Sequence, residues 1–124
     1  MGGPHTVLVV DDEAAIRLLC RINLELEGFR VLDAATLADA RHALETEPVD
    51  VVLLDLHVAG EDGWTLADEL RDREAGAKVA LLTGSVEVAR VDAARVDAVL
   101  RKPFRPEELV AAVRDLASVR SAAR

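Results

Sequence analysis

The 124-residue sequence holds a single cysteine, Cys20, no tyrosine, two phenylalanines and one tryptophan. One thiol cannot close an internal disulfide, and without a cysteine partner it offers no zinc site, so Cys20 reads as a core thiol on a helix. Long apolar runs are missing too. The longest, such as Val7–Val10 and Val51–Leu54, fall far short of the ~18 residues that a bilayer span needs, so no membrane association is expected. The start, Met1-Gly2-Gly3-Pro4-His5-Thr6, lacks the basic and then apolar stretch of a secretory signal, which predicts a cytoplasmic protein. Positive charge is in short supply. A net charge of −8 argues against a chain that clamps nucleic acid through its overall field.

What is present is enough for one folded domain. Hydrophobic residues make up 51% of the chain and charged residues 31%, and the two are interspersed, unlike a disordered composition. Charge is uneven along the chain. Residues 1–62 carry 13 acids against 4 bases, whereas residues 63–124 carry 10 acids against 11 bases, so the first half could favour a cation or could present a solvated acidic surface.

Short apolar runs recur at Val7–Val10, Arg30–Leu32, Val51–Leu54, Val79–Leu82 and Ala98–Leu100, separated by stretches with helical periodicity. Runs without polar alternation suit strands covered on both faces, and the alternation predicts an α/β fold of five units. Ile16, Leu19, Cys20 and Leu24 share one helix face, and Gly28 is placed to end that helix in a left-handed cap. Thr36 with Asp39 reads as a capping box for a second helix that stops before Pro48. Asp62 is expected to cap a third helix running toward Gly76, with Trp64 a partly buried packing residue at its start. Pro106, Glu107 and Glu108 open the last helix. Between Thr83 and Lys102 the apolar residues fit neither period, which predicts a short or irregular fourth helix. Residues 117–124 are small and basic, as a frayed terminus or the start of a linker would be.

In an open α/β sheet, ligands bind outside the carboxyl ends of the strands. There the sequence places Asp11-Asp12-Glu13, Asp55, Thr83-Gly84 and Arg101-Lys102-Pro103. Singly, Asp12 could be a helix cap, Thr83-Gly84 a turn and Lys102-Pro103 a surface loop. Asp55 is harder to explain that way, because it abuts the most hydrophobic strand, where an unpaired carboxylate is costly. Ionised Asp11, Asp12 and Asp55 with Lys102 would be balanced by one divalent cation. Oxygen-only ligands favour Mg²⁺ or Mn²⁺, and Mg²⁺ held by few carboxylates usually recruits phosphate. The parts then fit phosphoryl transfer: Asp55 as nucleophile, Asp11 and Asp12 on the metal, and Lys102 and the Thr83 hydroxyl on the transferred group.

These residues resemble the receiver domain of bacterial two-component response regulators, the CheY-like family. The resemblance rests on Val-Asp-Asp-Glu at 10–13, Leu-Leu-Asp-Leu at 53–56, Gly60 with Asp62-Gly63, Leu-Thr-Gly at 82–84 and Lys-Pro-Phe at 102–104. It covers residues 6–117 as the domain and leaves 118–124 as a tail or the start of a linker. It implies a flavodoxin-like three-layer sandwich with a five-stranded parallel sheet of order 2-1-3-4-5 and about five helices. It also implies that Asp55 takes phosphate from a histidine kinase or histidine phosphotransfer protein, with Mg²⁺ held by Asp12, Asp55, the His57 carbonyl and, through water, Asp11. The Lys102-Pro103 bond is expected to be cis. The switch would run from phosphate through Thr83 to the irregular helix, changing a protein-binding surface, with a weak phosphorylation-dependent dimer as one outcome.

Departures from the pattern are specific. Val99 stands where the family usually has a switch aromatic, Val58-Ala59 replaces a common Met-Pro, the interval from Thr83 to Lys102 is short, and His57 and Ser85 occupy positions that tune phosphate loss. Two other functions compete: a small Mg²⁺-dependent phosphohydrolase acting through an aspartyl-phosphate, and a receiver-like module that binds partners without phosphorylation. The first would need a leaving-group acid and a substrate pocket. The second sits poorly with intact Asp11, Asp12, Asp55, Thr83 and Lys102.

Overall fold

A computed structural model describes residues 4–73, 76–84 and 96–122. In chain order the elements are β1 (Thr6–Val10), α1 (Ala14–Leu26), β2 (Arg30–Ala34), α2 (Leu37–Thr46), β3 (Val51–Asp55), β4 (His57–Val58), β5 (Glu61–Asp62), α3 (Trp64–Arg71), β6 (Lys78–Gly84), β7 (Ala98–Lys102) and α4 (Pro106–Ala122). Five strands pair in parallel in the order β2-β1-β3-β6-β7. Counting only the strands of this sheet, that is the expected order 2-1-3-4-5. The remaining two strands, β4 and β5, form a small antiparallel hairpin that periodicity could not reveal.

The period of two along each strand sorts the core into two layers. Val7 and Val9 of β1 and Val51 and Leu53 of β3 face α1 and α4, where they meet Cys20, Leu24, Leu109 and Val113. Leu8 and Val10, with Val52 and Leu54, face α2 and α3 and meet Leu37, Ala40, Leu66 and Leu70. Each fully buried Leu or Val contributes roughly 1.5–3 kcal/mol by leaving water, and from Val7 to Val10 in β1 and from Val51 to Leu54 in β3 every side chain is apolar and buried.

The local signals act largely as the sequence suggests. Cys20 and Leu24 are buried on α1, with Ile16 and Leu19 packed beside them. Gly28 has φ +92, the left-handed conformation that ends α1. The Thr36 side chain accepts the Asp39 amide at 3.1 Å. At α4 the Glu108 carboxylate accepts the Arg105 amide at 2.9 Å, the returning half of a capping box. Trp64 opens α3 and packs against the second core layer.

Two expectations need correction, and an alternative reading of Asp12 falls away. Asp62 is not the cap of α3: Gly63 occupies that position, and Asp62 accepts the Trp64 amide from one residue upstream at 2.9 Å, because the chain has already turned into helical geometry at Gly63. Asp12 does not cap α1 either. Glu13 stands at the N-cap, and Asp11 accepts its amide at 2.9 Å. After Leu116 the chain continues as helix to Ala122, with Ala117 buried. The Lys102-Pro103 bond is cis, as expected. The short or irregular helix expected between Thr83 and Lys102, and Ser85 with it, fall largely on residues 85–95, outside the described residues.

Candidate functional site

Parallel pairing brings the strand ends to one edge. Asp11 follows β1, Asp55 ends β3 opposite Leu82 of β6, and Thr83 and Gly84 lie opposite Arg101 and Lys102 of β7. Residues as far apart in sequence as 11 and 102 thereby converge.

At the centre is an ion cluster built on one fully buried carboxylate. Asp11 is 0% exposed, and its Oδ2 accepts from Lys102 Nζ at 2.8 Å. The same ammonium lies 3.4 Å from Asp55 Oδ2 and 3.4 Å from Glu13 Oε1. Asp11 Oδ1 accepts the Glu13 amide, and Arg17 donates to the Asp11 carbonyl at 2.9 Å, tying the first turn of α1 to the site. Asp12 is the exposed member of the acidic group, and its Oδ2 accepts the Ala59 amide at 3.0 Å.

Three carboxylates converge. One oxygen each from Asp11, Asp12 and Asp55 lies within 4.8 Å of the others. The charges show the strain of this arrangement. Burial raises the Asp55 pKa above the ordinary aspartate value and the charge of Asp11 raises it further, while Lys102 and the backbone N–H of His57 pull it back. Burial lowers the Lys102 pKa, but the bond to Asp11 and the charges of Asp11, Asp55 and Glu13 outweigh it, so the ammonium is held above the ordinary lysine range. Cys20, behind the site in the core, is pushed up to about 12 by burial and then by Asp11, so it is an inert thiol.

An oxygen-only donor set with clustered negative charge fits a hard divalent ion such as Mg²⁺ or Mn²⁺. One ammonium cannot neutralise three carboxylates, so the site is short of positive charge.

The other expected residues are placed as follows. Thr83 is buried at the same edge, its hydroxyl donating to the Gly84 carbonyl at 3.2 Å. His57 exposes its side chain on β4, while its backbone N–H reaches Asp55. Val99 is 38% exposed on β7.

Sequence reasoning missed three participants. Glu13 lies in the Val-Asp-Asp-Glu run at 10–13, yet its contact with Lys102 spans 89 residues and has no local signature. Ala59 carries a positive φ of 52 without being glycine. Gly63 packs so closely on the loop after β3 that an added Cβ would overlap the Asp55 carbonyl oxygen and lie 3.1 Å from that of Leu56. Its amide donates to the Leu56 carbonyl at 2.7 Å, closing residues 56–63 onto Asp55.

The family model described as "Response regulator receiver domain" matches residues 7–114. Among curated proteins, the chain is 40% identical over 119 residues to the transcriptional regulatory protein AruR of Pseudomonas aeruginosa, an alignment covering 89% of this chain and 48% of that protein. It is 38% identical over 113 residues to the transcriptional regulatory protein ResD of Bacillus subtilis, covering 89% and 47%. The chain thus spans about half the length of these relatives. Among solved structures, a CheY-like response regulator receiver domain protein from Methanospirillum hungatei superposes with a TM-score of 0.88 at 26% identity, covering 98% of this chain and 100% of that one.

Proposed function

The chain belongs to the response regulator receiver domain family, and on that premise we propose that Asp55 is its phosphoacceptor, loaded from a phosphohistidine of a histidine kinase or histidine phosphotransfer protein. One observation carries the proposal: Lys102 Nζ lies 2.8 Å from Asp11 and 3.4 Å from Asp55, in a group of three carboxylates. Asp55 supplies the attacking oxygen. Its elevated pKa makes it more basic than a surface carboxylate, and Lys102 and the His57 amide still favour the ionised form. Asp11, Asp12 and Asp55, with the His57 carbonyl, would hold Mg²⁺ or Mn²⁺, which when bound supplies charge against the phosphoryl oxygens.

In this reading Lys102 exchanges part of its contact with Asp55 for the incoming phosphoryl group, and Thr83 leaves the Gly84 carbonyl to donate to it. Breaking that bond moves the end of β6. The phosphoprotein would then change which protein it binds, a cytoplasmic signalling role with no direct nucleic-acid contact and with a weak dimer as one output. The domain bounds that go with it are 6–117, with 118–124 as a C-terminal tail or the start of a linker. It acts as a switch that accepts and loses its own phosphate, in contrast to a hydrolase of outside substrates.

The test is incubation with Mg²⁺ and acetyl phosphate, comparing wild type with Asp55→Asn by intact mass. Wild type gains one phosphate, stable in acid and labile in base, and the variant gains none. Equal labelling of both proteins would remove Asp55 from the role.

A further inference from the structure

We propose that the backbone amide of Ala59 is a positioning group for the divalent cation, holding the Asp12 carboxylate ready and tying cation affinity to the conformation of the β4–β5 hairpin; this rests on the phosphoacceptor reading above. Asp11 is immobilised by burial and by Lys102, and Asp55 by the strand that carries it. Asp12 has neither support. It lies exposed after β1, where an unsupported aspartate side chain is free to change rotamer and so to carry its oxygen away from those of the other two acids. The partner that selects it is the Ala59 N–H, 47 residues away, at 3.0 Å from Oδ2.

The hairpin explains why that N–H is available. His57 pairs with Asp62 and Val58 with Glu61, leaving Ala59-Gly60 as a two-residue connection. Both have positive φ, 52 and 81, as a type I′ turn requires. The N–H of the first central residue of such a turn takes no part in the strand ladder, so it can be directed outward. Val58 is fully buried, which anchors the hairpin to the core layer beneath β3. A buried anchor and a tight turn thus aim one amide at one carboxylate. A proline at position 59 could do neither, having no N–H and a φ locked near −65°.

Donors of this kind around a metal ligand typically change metal affinity 10–100-fold. The full chain is titrated with Mg²⁺ by calorimetry as wild type, Ala59→Pro and Ala59→Gly. Ala59→Pro is expected to bind at least about 10-fold more weakly, whereas Ala59→Gly, which keeps the N–H and accepts positive φ, stays near wild type. A proline variant that binds as tightly as wild type overturns the inference and leaves the phosphoacceptor reading standing. Wild-type protein that takes up no Mg²⁺ overturns both. Amide hydrogen exchange in metal-free protein supplies a readout that needs neither the cation nor a folded proline variant. The Ala59 amide is expected to exchange slowly in wild type and faster in Asp12→Ala, and equal rates overturn the inference.

Discussion

The two ends of the sheet use the same residue type for opposite purposes. At the amino end, Asp50 precedes β3 and accepts the Thr6 amide at 2.9 Å, with His5 Nδ1 at 3.6 Å, and Asp97 precedes β7 and accepts the Val79 amide at 2.8 Å. Each of these carboxylates is spread apart from the others and stitches one strand to its neighbour. At the carboxyl end, oxygens of Asp11, Asp12 and Asp55 crowd within 4.8 Å of one another, and a single lysine pairs with two of them, Asp11 and Asp55. Hydrogen-bonded carboxylates set apart stabilise a fold. Carboxylates set together reduce its stability and leave an excess of negative charge at one end, which a hard divalent cation would offset.

The sharpest way to break this comparison is to remove the lysine that pairs with Asp11 and Asp55 at the carboxyl end. Lys102→Ala leaves Asp11 buried and unpaired beside Asp55, a situation that costs about 3–5 kcal/mol. Asp50→Ala at the other end removes a charged hydrogen bond to one amide, roughly 1.5–3 kcal/mol. Urea denaturation of both variants decides it, and an Asp50→Ala deficit equal to that of Lys102→Ala would erase the distinction. The Lys102 contribution has a defined pH range. Its folded pKa is raised, so the stabilisation is fully present below the ordinary lysine value and is lost as pH rises through the folded value.

A smaller effect is expected from Gly63→Ala, which probes the loop that supports the site. The methyl group would meet the backbone carbonyl oxygens of Asp55 and Leu56, which have no flexible end to move aside. Overpacking of this kind costs typically about 1–3 kcal/mol. Because the displaced backbone carries Asp55, Mg²⁺ affinity should fall along with the melting temperature. A variant that loses stability but keeps its Mg²⁺ affinity would show that the loop supports the fold without setting the site.

Much of this architecture is legible in the sequence because it depends on local pattern. The apolar runs Val7–Val10 and Val51–Leu54 are continuous since both faces of those strands are covered, and the acids that follow them mark the strand ends. Gly28 and Thr36 announce their caps because capping is a property of a few adjacent residues. The rest depends on distance in space. Nothing near Ala59 indicates that its amide meets Asp12, and nothing near Gly63 indicates that Asp55 lies against its Cα hydrogens. Asp50 and Asp55 flank the same strand and look alike in sequence. Chain direction puts Asp55 at the carboxyl end of the strand and Asp50 at the amino end, but the partners that make one a stitch to Thr6 and set the other beside Lys102 come only from the register.

The mildest test, and the one with the opposite sign, is Asp55→Asn. Burial and then Asp11 raise the folded pKa of Asp55, so the folded state binds that proton more tightly than the unfolded chain does. The ionised carboxylate therefore costs stability above its folded pKa, and the cost disappears as pH falls through that value toward the ordinary aspartate range. Removing the charge should raise the melting temperature at neutral pH, by about 3–6 °C for each kcal/mol of repulsion relieved, with the gain vanishing at acidic pH. Saturating Mg²⁺ should narrow the gap at neutral pH as well, because a ligand that binds only the folded state stabilises wild type in proportion to RT ln(1 + [L]/Kd). Thermal melts of both proteins at two pH values, with and without Mg²⁺, separate these effects. A variant that melts below wild type at neutral pH would mean that the Lys102–Asp55 attraction outweighs burial and Asp11, and the carboxyl end would then resemble the amino end after all.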